Sequence, residues 1–290
     1  MYWVFLFFVL VILSMVFYVH SVKAEKDSHN WHNESEPVDE KLKSRMQDLA
    51  CCPTVFYDST DPAKIEKVYE EARKRGEREG FFPVLVTLEE SLVRTFLHQF
   101  GLRDDEHEID VANVQEHRQE LMQTTENGKD WLDTRFRKLL HGFEAESPDF
   151  YRMDVLGERT TDGDGVTSFK GIVNDETGST LSLLLAEVPV VQPWQVLAWF
   201  PFGGTNACPA AEHIVSVARY WFERYGAVPA VIAQGIVEFA VSKPVGEEDS
   251  LPLAKEHYAF CPDIVDQGVG TINAWADVLR KSTVWFFGWD

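Results

Sequence analysis

Four cysteines carry most of the reactive chemistry in this chain, at positions 51, 52, 208 and 261. Three of them precede proline, in Cys52-Pro53, Cys208-Pro209 and Cys261-Pro262. Cys208 stands at the start of a helix expected from Ala210, where the helix amino terminus favours a thiolate. His257 and Cys261 are four residues apart at the end of a second expected helix, with Glu256 beside them and Asp263 and Asp266 just beyond. One reading is a thiol-dependent hydrolase or transferase, with Cys208 or Cys261 as nucleophile, His257 as base and Asp263 as its orienting carboxylate. A second is a metal-binding domain, because Cys208-x4-His213 and His257-x3-Cys261 have ligand-like spacing. No CxxC pair supports it, so no metal ligand is assigned. The plainer reading buries Cys261 under Ala254 and Tyr258, puts His257 on a helix border and makes Asp263 a cap. Gly203-Gly204 can bend into a nest of N–H groups, which makes Gly203, Gly204 and Asn206, with Glu256 and Asp266, the candidate binding residues. A Cys-Pro pair can mark a haem-responsive thiolate, but the dipeptide is too short to specify one, and no cofactor is expected.

These residues need a scaffold, and hydrophobic periodicity supplies it. Ala63–Gly80 reads as a charged amphipathic helix, Phe81–Thr87 as a strand and Leu88–Phe100 as a helix. Two further helices, Val114–Thr124 and Lys129–Leu140, fall in a polar stretch that reads as an insertion at the edge of the fold. From Met153 to Ala186 the pattern suggests short strands, with a hairpin turn at Asp162-Gly163-Asp164-Gly165 and another turn at Glu176-Thr177-Gly178. The last hundred residues then read strand (Gln195–Phe200), helix (Ala210–Tyr225), two strands (Val228–Ile232 and Ile236–Ser242), a helix capped by Ser250, a helix over Thr271–Arg280 and an aromatic strand over Thr283–Trp289. The expected class is α+β. It has a mixed or antiparallel sheet with helices packed on one face, and the carboxy-terminal part resembles a split βαβ unit. The division is an anchor or signal segment at 1–24, a polar tether at 25–62 and one α+β domain at 63–290. Within that domain 88–150 is the helical insertion and 190–290 the best-defined core.

Tyr2–Val19 is uncharged and almost wholly apolar, and eighteen residues make a helix of roughly 27 Å, enough for a hydrocarbon core. We read it as a single-pass membrane anchor. The alternative is a signal peptide cleaved after Ala24, leaving a secreted protein. Asn33-Glu34-Ser35 is a glycosylation sequon. The 290 residues carry 27 Lys+Arg against 47 Asp+Glu, a net charge of −20. That excludes wrapping a nucleic-acid backbone.

The segments Phe202-Gly203-Gly204-Thr205-Asn206-Ala207-Cys208-Pro209, Arg219-Tyr220-Trp221, Ala254-Lys255-Glu256-His257-Tyr258, Phe260-Cys261-Pro262-Asp263 and Ile264-Val265-Asp266-Gln267-Gly268 resemble a bacterial family, the uncharacterised domain number 4253. So does the ending Trp285-Phe286-Phe287-Gly288-Trp289-Asp290, although Gly288 stands where the family usually carries a tryptophan. The resemblance is dense over 190–290 and implies a fold unit without an assigned activity. With no convincing catalytic set, the expected function is a membrane-tethered, acidic interaction domain that binds a protein partner. An immunity-type role against a secreted toxin fits this class.

Overall fold

The structure is a computed structural model and describes residues 40–103, 109–146, 149, 151–161, 163–205 and 207–289. The expected anchor, the sequon, the tether up to residue 39, and Asn206 lie outside the described residues. Among the described residues no helix is long and apolar enough to cross a membrane.

Helix α1 (Glu40–Ala50) and strand β1 (Thr54–Tyr57) come first. The polar tether reading includes one short helix near Lys41–Leu49, which is present, and its Met46, Leu49 and Ala50 are buried in the main core. Helix α2 (Pro62–Glu79) is bounded as its ends dictate. The Asp61 side chain accepts from the Ala63 N–H at 2.9 Å, Pro62 opens the first turn and Gly80 closes the helix at φ 81°. β2 (Phe82–Thr87) and α3 (Glu90–Gln99) follow, then α4 (Val111–Met122) and α5 (Gly128–Glu146). β3 (Leu183–Val188) precedes a 3-10 turn at Pro193–Gln195 and the short helix α6 (Val196–Trp199). The chain ends with α7 (Ala211–Tyr225), β4 (Val228–Ala233), β5 (Ile236–Ala240), α8 (Glu247–Phe260), a π-helical turn at Ile264–Val269, α9 (Ile272–Leu279) and β6 (Val284–Gly288).

The six strands form one mixed sheet in the order β1-β3-β2-β4-β5-β6. Only β2 and β4 are parallel neighbours; every other pairing is antiparallel. Strand alternation divides the side chains between two cores. Val84, Val86, Ile232, Phe239, Trp285 and Phe287 join the main core with α3, α5, α7, α8 and α9. Leu85, Leu183, Leu185, Val231 and Val284 face the other way, onto Ile65, Tyr69 and Ala72 of α2 and onto Phe169 and Ile172.

Five expectations need correction. Helices do not lie on one face alone, because α2 covers the second. The carboxy-terminal part is not a split βαβ unit: α7 joins β3 to β4, which are mutually antiparallel, and β2 separates them. Gln195–Phe200 is helical, because the Gln195 side chain accepts the backbone N–H of Gln192 at 2.8 Å and starts a turn behind Pro193. A short apolar run of this kind has no period to separate helix from strand. Next, among the described residues no strands pair across the turn expected at 162–165, of which Asp162 lies outside the description. The Gly163 N–H donates to Asp277 Oδ2 at 2.7 Å, docking that stretch on α9. The helix expected to be capped by Ser250 starts earlier, at Glu247.

Candidate functional site

α8 delivers Glu256, His257 and Tyr258 in its last turns and hands the chain to Cys261, whose N–H donates to His257 O at 2.8 Å. The His257 ring is fully buried, with the rings of Trp221, Trp285 and Phe287 each 4.8 Å away between centroids. Its Nδ1 accepts from Trp275 Nε1 at 3.1 Å. The proton therefore sits on Nε2, which has no hydrogen-bond partner. Burial holds the ring well below the usual imidazole range, so it stays neutral.

Cys261 is fully buried and its thiol donates to Gly288 O at 3.1 Å. Burial pushes it up to about 12, and nearby Asp263 adds to the rise. Cys208 is 8% exposed and is likewise pushed up to about 12 by burial. The neighbouring Cys261 adds to that rise and Arg135 opposes it. The Arg135 guanidinium influences both thiols. Arg135 lies over the Trp131 ring at 5.1 Å and donates to Ala207 O at 2.9 Å. Both sulfurs are protonated at neutral pH, and among the described residues neither hydrogen-bonds a histidine. His257 spends its Nδ1 on Trp275 and the Cys261 thiol goes to Gly288 O, so the imidazole serves neither thiol as a base.

The other candidates have structural partners. Gly203 and Gly204 take φ 105° and 77°, and a Cβ on Gly203 would collide with Pro209 O. The Gly204 N–H already donates to Pro209 O at 2.9 Å, so it does not serve an open anion nest. Glu256 accepts from Tyr220 Oη at 2.9 Å and Trp221 Nε1 at 3.1 Å, with Lys129 Nζ at 3.9 Å. Burial raises its pKa against those three partners. It forms one wall of a cleft of about 310 Å³ between α5 and α8. Asp266 accepts from Tyr258 Oη at 3.3 Å. Asp263 faces a larger groove of about 480 Å³. Its floor is Ile236, Phe286 and Gly288 on β5 and β6, Trp275 and Trp289 form aromatic walls, and Lys170, Gln234 and Gln267 add polar groups.

Residues 184–290 match the family model of a domain of unknown function, DUF4253. The DUF4253 segment supplies every groove residue except Val166 and Lys170. No curated protein and no solved structure matches the chain. Among the described residues no group of three or more His, Cys, Asp or Glu side chains is arranged to hold a metal ion.

Three features escape the sequence. His213 Nδ1 is 2.5 Å from Glu126 Oε2, and the imidazole lies 5.0 Å from the Trp131 ring. Only the histidine's spacing from Cys208 is visible in the primary structure. Arg135 has no motif around it. Glu238 looks like an outward-facing strand residue but is fully buried.

Proposed function

We propose that this protein is a membrane-tethered, acidic binding domain that takes its ligand in the groove beside β6 and performs no catalysis. The observation that carries the reading is the contrast between the two regions. The thiols and His257 are protonated or neutral and closed off from water, whereas the groove is open, apolar-walled and edged with a few polar groups. Such pockets of about 300–1,000 Å³ are the usual form of a ligand site. Gly288 leaves the floor bare, and a Cβ there would meet only Phe286 and Ile236 side-chain atoms, at 3.1–3.7 Å. The tether rests on the uncharged run Tyr2–Val19.

The test uses 8-anilinonaphthalene-1-sulfonate, whose aromatic body suits the walls and whose sulfonate suits Lys170. Saturable fluorescence enhancement is expected from the native protein. Gly288→Phe, which fills the floor, should abolish it while circular dichroism stays unchanged. Equal enhancement from both proteins, or none from either, removes the groove reading.

A further inference from the structure

The chain passes from α1 to β1 through Cys51 and Cys52, outside the matched segment, and independent observations meet there. Cys51 is the one non-glycine residue with positive φ among the described residues, at 49°. It occupies the position just after α1, where its N–H donates to Gln47 O at 3.2 Å. Glycine is the usual occupant of that left-handed cap, because a Cβ strains it. A strained conformation held by a reactive side chain is a common mark of a functional position.

Arg118 supplies the second observation. Its guanidinium is 1% exposed and lies over the Trp199 ring at 4.1 Å. Nε donates to Trp199 O at 2.9 Å and Nη2 to Leu49 O at 2.6 Å, but Nη1 has no hydrogen-bond partner. The acidic groups whose charge bears on it are the thiols of Cys51 and Cys52. The guanidinium is anchored on Leu49 O, two residues before Cys51, whose thiol donates to Asp48 O at 3.0 Å, and a buried cation with an unused N–H beside that bend is a ready counter-ion for a thiolate.

We propose that Cys51 and Cys52 form a reversible thiol–disulfide exchange site that closes to a vicinal disulfide on meeting a low-molecular-weight disulfide, with Arg118 as a positioning residue for the thiolate. The Cys51 thiolate attacks one sulfur of the small disulfide, forms a mixed disulfide and releases one small thiolate. Burial pushes the Cys52 thiol up to about 12 and Arg118 opposes that rise, so Cys52 gives its proton to the small thiolate already released as it attacks Cys51 Sγ and expels the second. Two protein thiols are oxidised and one small disulfide is reduced to two thiols. Adjacent Cα atoms are about 3.8 Å apart, closer than the roughly 4.4–6.8 Å of ordinary disulfides. The closed ring therefore opens readily, which suits a switch rather than a staple. Cys208 and Cys261, buried and away from solvent, do not take part.

The full-length protein is equilibrated with oxidised and reduced glutathione at a series of ratios, acid-quenched and alkylated, and the peptide containing both cysteines is weighed. Progressive loss of two hydrogens and of both labels is expected as the oxidised fraction rises, reversing on reduction. Cys52→Ser should trap one glutathione on Cys51. Arg118→Gln should move the pH of half-maximal exchange upward by about one unit, and Arg118→Lys should restore it. A purely structural arginine would leave that profile in place. Two labels at every ratio, no adduct on the Cys52→Ser variant, or a pH profile unmoved by Arg118→Gln would each overturn the proposal.

Discussion

Glu238 sits fully buried on β5, where its carboxylate accepts the N–H groups of Lys170 at 2.8 Å and Gly171 at 3.2 Å. Burial outweighs those bonds and the Lys170 charge, raising its pKa from 4.5 to about 7. The folded state therefore holds this proton more tightly than the unfolded chain. Its contribution is complete below the unfolded value and is lost as pH rises through the folded one, about 3 kcal/mol in all. Urea unfolding at about pH 5 and about pH 8 should show the loss, and Glu238→Gln should remove most of it. An unchanged difference between the two pH values would contradict this account. His257 follows the opposite rule: burial lowers its pKa, so stability is present above its ordinary value and declines as pH falls through it. His257→Ala should cost about 3–5 kcal/mol, by analogy with emptying an aromatic site in a core. Native-state iodoacetamide at neutral pH should leave Cys208 and Cys261 unmodified, and rapid labelling of either would reopen the thiol chemistry. At this scale the sequence shows which residues are reactive types but not which are enclosed. The ring cage on His257 draws on α7, α9 and β6, and no local pattern announces that they converge.

Most elements are legible because their own residues specify them. α2 carries Asp61, Pro62 and Gly80 at its ends and Ile65, Tyr69, Ala72 and Gly76 along one face, and all of that is visible in the chain. α6 is not, because a short apolar run has no period of its own, and neither is the stretch 163–182, whose shape comes from distant partners such as Asp277 and Ser282. Gly128 marks another contact that periodicity hides. It opens α5, and a Cβ there would run into the backbone of Ser216 and Val217 on α7. Neither neighbour is a flexible side-chain end, so Gly128→Ala should destabilise the protein by about 1–3 kcal/mol through forced separation of the two helices. Chemical denaturation reads this directly, and a stability equal to that of the native protein would mean the helices can part without cost.

The whole molecule carries a net charge of −20, so its association with a basic partner should weaken as salt rises. Cell fractionation tests the tether: detergent should release the protein, while salt and alkaline carbonate should not. Release by carbonate alone would argue against a spanning segment. The fold class was accessible from composition and periodicity, but the strand order was not, because β2 inserts between β3 and β4 from far upstream. That insertion has a bearing on how the chain is made. β1 and β2 end at Tyr57 and Thr87, and their first sheet partner begins at Leu183. No rung of the ladder can close until translation has passed that point, so the emerging polypeptide holds the apolar β2 segment unpaired through much of its synthesis, a window in which holding chaperones have something to grip.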